Sequence, residues 1–102
     1  MVLQVMKWNV HPDKADAYIK WAEKAINRTL TPKVKEFRAY RPITGDSQVA
    51  TTYEFENLTI WAEWHSNKEV QKVMSELRTF ALEIKIDVWG PSPVAAKPVY
   101  FY

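Results

Sequence analysis

The chain of 102 residues contains no cysteine. This absence excludes disulfide bonds, thiol nucleophiles, iron–sulfur ligation and thiolate zinc sites, so packing must stabilise the fold. Only two glycines occur, Gly45 and Gly90, and neither stands in a GxGxxG or GxxxxGK sequence. A dinucleotide-binding turn or a phosphate-binding loop is therefore not expected.

A large charge of one sign and long apolar runs are missing too. The 14 basic and 12 acidic residues give a net charge of +2, which favours neither nucleic acid nor an anionic membrane as a partner. The start of the chain lacks a basic stretch ahead of an apolar one, and no apolar run approaches the roughly 18–20 residues that span a bilayer. We expect a cytoplasmic protein that binds neither nucleic acid nor a membrane.

Apolar and aromatic residues are plentiful, at 47% and 14% of the chain, which is typical of a folded protein rather than a disordered one. The five tryptophans need a core or a pocket, because each indole has roughly 150–250 Å² to remove from water. The length fits one domain. We expect a single domain over residues 1–102, with a core at 2–90 and a C-terminal docking segment at 91–102.

Hydrophobic periodicity predicts the order strand, helix, strand, strand, helix, strand. Strands are expected at 2–10, 34–41, 48–56 and 84–89, a first helix after Pro12 with its apolar stripe over 15–26, and a second over 70–81. Asn57 or Thr59 caps a short helical piece between them, and a capping-box pattern from Ser66 to Glu69 begins the longer one. This order predicts a ferredoxin-like α+β sandwich (β-α-β-β-α-β), with a four-stranded antiparallel sheet and both helices on one face.

The second face of that sheet has no helix to cover it. Trp8, Trp89 and either Tyr40 or Phe37 are available for this face, which predicts a homodimer that packs sheet against sheet. Gly90 and the prolines after it end the last strand. We expect the apolar segment 94–102 to dock as an edge strand, and its terminal aromatic residues to pack on the partner subunit.

Two segments extend the argument from fold to family. They are the strand-to-helix join YEFENLTIW at 53–61 and the helix opening WHSNKEVQ at 64–71. With the element order, they resemble the dimeric α/β-barrel superfamily, and within it the antibiotic-biosynthesis monooxygenase-like domains, over about residues 2–90. The resemblance implies a dimeric α/β barrel with a small apolar cavity between the sheet and helices of each protomer. Some members oxidise aromatic quinols without a metal or flavin, and others degrade haem.

The resemblance also implies site residues. In the quinol-oxidising type, an Asn and a Trp four residues apart near this join are linked to activity, and Asn57 with Trp61 reproduces that spacing. In the haem-degrading type, an iron-binding His follows the Trp of the second helix by about one helical repeat. Trp64 matches that Trp, but residues 73–75 read Val-Met-Ser, so the iron ligand is missing.

Side-chain chemistry gives each candidate a role. Trp61 and Trp64 would stack on an aromatic ring, Asn57 would stabilise oxyanion charge, and His65 would accept a phenolic proton. Tyr53 and Tyr40 would donate hydrogen bonds to a bound oxygen. Structural explanations stay open for all six: a helix cap, core packing, a solvated helix end and cross-strand packing.

These observations predict a cofactor-independent monooxygenase-like protein that acts on a small aromatic phenol or hydroquinone, with no cofactor and no metal. Such a substrate reduces oxygen itself once it is deprotonated, so the protein need only bind and orient it. The alternative is a non-catalytic small-molecule-binding or stress-linked protein that uses the same cavity. Haem binding or degradation is a third possibility.

Overall fold

The secondary structure follows the predicted order. The computed structural model describes residues 1–101, and it places strands and helices within them as follows: β1 (Val2–Val10), α1 (Ala15–Thr29), β2 (Glu36–Tyr40), β3 (Val49–Phe55), α2 (Leu58–His65), α3 (Lys68–Phe80) and β4 (Ala81–Trp89). A single 3-10 turn, Pro12–Lys14, leads from β1 into α1. Ala81, predicted to end the last helix, instead begins β4.

The four strands form one antiparallel sheet in the order β2-β3-β1-β4. The crossovers through α1 and α3 make this the ferredoxin-like α+β fold, as the sequence predicts. Pairing of two such sheets into a barrel stays a prediction.

The caps of the later helices are both asparagines. The Oδ1 atom of Asn57 accepts a hydrogen bond from the backbone N–H of Ile60, so Asn57, rather than Thr59, caps α2. Asn67 caps α3 by accepting from two backbone N–H groups of its first turn. The predicted capping box is wrong in its first residue, because the Ser66 hydroxyl donates back to the Ala62 carbonyl at the end of α2.

Strand register assigns each side chain to one face of the sheet. Met6, Thr51 and Ala39 form one row across β1, β3 and β2, and Gln4, Tyr53 and Phe37 form the next. Since Met6 and Tyr53 belong to the buried core with residues of α3, these rows face the helices. The intervening residues, beginning with Val5 and Thr52, face the opposite side.

The prediction for the open face is correct for Trp89 and for one of the two alternatives, Tyr40, and it is wrong for Trp8. Tyr40 and Trp89 lie there and are 50% and 52% exposed. Trp8 lies on the helix side and is buried. Phe37 lies on the helix side too, because its ring packs on Tyr53. Side chains along a strand alternate between the two faces of the sheet, so the inward direction of Met6 and Tyr53 places Trp8 and Phe37 on the helix side as well.

The C-terminal segment forms no strand between residues 90 and 101. Val94 and Phe101 are almost fully exposed there. The predicted edge strand is therefore wrong for the described part of this segment, whose three prolines lack the N–H groups that a strand ladder requires. Tyr102, the last residue of the predicted strand, lies outside the described residues. Packing of the segment on a partner subunit stays a prediction.

None of the helices within residues 1–101 combines the length and the hydropathy that a membrane span requires.

Candidate binding cavity

A cavity of about 90 Å³ lies between α1, α3 and the helix side of the sheet. Small side chains create it. Ala22 and Ala25 line it from α1, and Ala39 lines it from β2, where larger residues would fill the space. Because Ala39 is exposed, the cavity reaches the protein surface at β2.

Two hydroxyl groups in the wall of the cavity bond to each other. The Thr29 hydroxyl donates to the Ile26 carbonyl at 2.7 Å, and its oxygen lies 2.8 Å from the hydroxyl of Tyr53. Since the Thr29 proton is already used, Tyr53 is the donor in that pair. Burial raises the pKa of the Tyr53 phenol, although the bond to Thr29 opposes this rise. Tyr53 is therefore neutral at pH 7.

Tyr18 places a second phenol at the cavity. Its oxygen accepts a hydrogen bond of 3.3 Å from the indole Nε1 of Trp8, which also lines the cavity. Burial raises the pKa of Tyr18 as well, with the Trp8 bond acting in the opposite direction. Both phenols are therefore protonated, and neither is a base at neutral pH.

Thr51 contributes a hydroxyl without a partner. Its side chain lines the cavity from β3, the residue is only 7% exposed, and its Oγ1 is buried with no hydrogen bond. Buried polar groups in folded proteins are nearly always paired. The hydroxyl of Thr51 is thus a polar group without a partner, and because almost none of its surface is open, a bound molecule could satisfy it only after neighbouring side chains move.

A charged clamp holds α1 to α3 beside the cavity. The indole Nε1 of Trp21, a lining residue, donates to Glu76 Oε1 at 2.9 Å, and the Arg28 guanidinium contacts both oxygens of the same carboxylate at 2.8 Å. The bonds from Arg28 and Trp21 lower the pKa of Glu76 to about 2. The bonds to Glu76 and Glu69 raise the pKa of Arg28. This clamp positions Trp21 against the cavity.

Three predicted catalytic residues lie on α2 or at its start and do not line this cavity. Asn57 is exposed and uses its side chain as the helix cap. The Trp61 indole donates to Gln4 Oε1 at 2.8 Å, and the His65 ring stacks on Trp61 with 5.0 Å between centroids. The structure therefore brings Trp61 and His65 together, but under α2 rather than in the cavity. Their catalytic roles stay predictions.

The three predicted substrate-binding residues occupy three different places. Trp64 is fully buried, donates to the Thr29 carbonyl at 2.9 Å and packs against Tyr53 and Phe55. Tyr40 lies on the open face of the sheet. Only Tyr53 lines the cavity. Asn57, Trp61 and Trp64 do not line this cavity, which α1 and α3 cover, and their part in a binding site stays a prediction.

Sequence reasoning did not single out Tyr18 or Thr51 as site residues. The signal for Thr51 was a hydroxyl residue at an inward position of β3, between Val49 and Tyr53. As for metals, no three acidic or histidine side chains of residues 1–101 gather in a way that could hold an ion.

Neither a protein-family model nor a curated protein matches the chain. Solved structures do match. An antibiotic biosynthesis monooxygenase candidate from Deinococcus radiodurans superimposes with a TM-score of 0.77 at 12% identity, over 100% of this chain and 99% of its own. A DABB family protein with a ferredoxin-like fold from Mesorhizobium loti gives a TM-score of 0.78 at 11% identity, covering 89% of this chain and 96% of its own.

SnoaB, a cofactor-independent oxygenase from Streptomyces nogalater, is also similar, in the form of a point mutant. It gives a TM-score of 0.67 at 14% identity, over 86% of this chain and 89% of its own. At these identities the likeness concerns the fold. The resemblance found in the sequence is confirmed at that level: the chain has the ferredoxin-like fold of antibiotic biosynthesis monooxygenase-like and DABB proteins.

Proposed function

We propose that the chain is a monooxygenase-like protein whose cavity binds a small, uncharged phenol or hydroquinone. The observation that carries this proposal is the composition of the cavity wall, which is apolar except for a few hydroxyl groups and indole N–H groups. An apolar site with few polar groups takes up an aromatic ring and orients its oxygen substituents. The fold shared with a cofactor-independent oxygenase supports the same chemistry.

The size of the cavity limits the ligand. Its volume of about 90 Å³ is below the roughly 150 Å³ of an engineered cavity in another protein that holds benzene. A single ring is therefore the largest aromatic group we expect, and side chains near the mouth must move to admit it. Substrates with several fused rings are not expected to enter fully.

The proposed reaction balances without a cofactor. Hydroquinone and O₂ give hydroxyquinone and water: one oxygen atom enters the ring, and the other leaves with two hydrogens from the substrate. The electrons come from the substrate, which must first lose a proton. Since the cavity wall formed by residues 1–101 contains no carboxylate, histidine or lysine, we expect that proton to pass to water at the mouth.

The same observation favours a second candidate function, which is binding without turnover. A site without a proton acceptor can hold a phenol as well as an enzyme can, but it gives less assistance to deprotonation. Oxygen uptake separates the two candidates.

The experiment is oxygen uptake with a panel of hydroquinones, by native protein, boiled protein, Ala22→Leu and Trp61→Ala. Loss of uptake in Ala22→Leu, with uptake retained in Trp61→Ala, would support the cavity as the reaction site. The reverse pattern would move the reaction to α2, as the sequence predicts. Uptake no faster than the spontaneous rate, by a protein that binds phenol, would favour the binding function.

We further propose that two copies pair through the open face of the sheet. Its central rows carry equal numbers of opposite charges, from Lys7, Arg38 and Lys85 and from Glu36, Glu54 and Asp87. Together with the exposed rings of Tyr40 and Trp89, this pattern suits a two-fold interface in which each charge meets its opposite. Sedimentation of native protein and Trp89→Asp tests it: the variant should be monomeric, and an unchanged mass would argue against the interface.

A further inference from the structure

We propose that the hydroxyl of Thr51 hydrogen-bonds an oxygen substituent of the ligand and so selects phenols and quinones over apolar rings. This inference rests on the proposed function, because it requires that the cavity bind an aromatic molecule. It adds to the proposed function a residue that determines specificity, and it gives a reason why that residue is a threonine.

Thr51 is placed toward the cavity by the strand register. It pairs with Met6 on β1 and with Ala39 on β2, in a row that faces the helices. Its neighbour Ala39 ends at Cβ and so supplies no polar partner. Facing this part of the sheet, α1 lines the cavity with Ala22 and Ala25, which supply none either.

The other hydroxyls of the wall have partners. Thr29 and Tyr53 bond to each other, and Thr29 also bonds to the Ile26 carbonyl. Tyr18 already accepts from Trp8. In the described part of the chain, Thr51 alone among the lining residues has a buried side-chain oxygen with no hydrogen bond.

An unpaired buried hydroxyl is unfavourable for folding, and valine has nearly the same shape without that cost. A threonine here therefore indicates a function that valine would not perform. The threonine hydroxyl can both donate and accept. It can accept from the O–H of a hydroquinone and donate to the carbonyl of a quinone, so one residue suits both the substrate and the product of the proposed reaction.

The test compares phenol with toluene, two rings of similar shape that differ by a hydroxyl and a methyl group. Dissociation constants come from NMR titration of the native protein, Thr51→Val, Thr51→Ser and the control Thr52→Val. We expect Thr51→Val to bind phenol about threefold to tenfold more weakly, with toluene binding equal or tighter. Thr51→Ser should keep the preference for phenol. Thr52→Val should keep it too, since Thr52 faces the opposite side of the sheet.

The outcomes separate this inference from the proposed function. If the native protein binds neither probe, the proposed function and this inference both fail. If it binds both, and the ratio of the two constants is the same in Thr51→Val, the role of Thr51 alone is overturned.

Unfolding by urea gives a second readout that needs no ligand. Thr51→Val should unfold at an equal or higher urea concentration than native protein, whereas Thr29→Val should unfold at a lower one, because it leaves Tyr53 without its acceptor. A Thr51→Val protein that loses as much stability as Thr29→Val would show a structural hydroxyl and overturn the inference.

Discussion

The helix side of the sheet is densely filled under α2 and the start of α3, and it is hollow between α1 and the rest of α3. In the filled half, Trp64, Phe55 and Val70 are fully buried, and the rings of Trp64 and Phe55 lie 4.9 Å apart. In the hollow half, Ala22, Ala25 and Thr51 line the cavity. Large aromatic residues therefore mark packing in this protein, whereas small residues and a hydroxyl mark the candidate site.

In the filled half, the side chain of Trp64 offers a ligand no unpaired polar atom. Its only polar atom donates to the Thr29 carbonyl. The hollow half retains an unsatisfied oxygen on Thr51 and space beside it. The following variants test whether this contrast controls stability in one half and binding in the other.

The largest expected effect is on stability, from Trp64→Ala. Removing a fully buried indole leaves a cavity and the Thr29 carbonyl without its donor, so we expect a loss of about 3–5 kcal/mol in the free energy of unfolding. Urea denaturation measures it. Trp61→Ala is the matched control, because Trp61 is only partly buried and should cost less. Equal losses in the two variants would contradict a special role for the filled half.

A smaller effect, on binding, is expected from Ala22→Leu. The larger side chain occupies the hollow half, so phenol affinity should fall about tenfold or more, which corresponds to about 1.4 kcal/mol. The unfolding free energy should change little, since the added carbons enter existing space. Ala62→Leu, on the exposed face of α2, is the control and should bind phenol normally. Unaltered binding by Ala22→Leu would place the ligand elsewhere.

Asn57→Ala tests a residue that lies in neither half. Loss of its helix cap should cost about 1 kcal/mol, and Asn67→Ala should cost a similar amount at the start of α3. If capping is its whole role, oxygen uptake per folded molecule falls equally in both variants. A loss confined to Asn57→Ala would instead support the catalytic role that the family resemblance implies.

The same contrast explains how much could be predicted from sequence. Periods of two and of three to four residues depend on burial alone, so they predicted the order of elements and the inward face of β3. The site depended on which helix covers which part of the sheet. Spacing along α2 made Asn57 and Trp61 neighbours, but it could not show that α1 covers the cavity or that Trp8 faces the helices.

The smallest expected effect is a pH dependence at the clamp that joins the two helices. Bonds from Arg28 and Trp21 lower the pKa of Glu76 to about 2, below its ordinary value of 4.5. A carboxyl whose pKa is lower in the folded state stabilises the fold above its unfolded pKa, and that stability is lost as the pH falls from about 4.5 toward 2. Glu76→Gln should flatten this part of the stability curve, though only modestly, because the pair is reached by solvent.

The pH dependence of phenol binding tests whether the clamp also shapes the cavity in the hollow half. Trp21 lines the cavity and donates to Glu76, so protonation of Glu76 should weaken phenol binding in the same pH window. Glu56 is the matched control: its pKa is also lowered, by Lys35, but this pair does not line the cavity. Glu56→Gln should therefore flatten the acid side of the stability curve while leaving the pH dependence of phenol binding as it is in native protein. Glu76→Gln should change both, and a change in stability alone would mean that the clamp holds the helices without shaping the cavity.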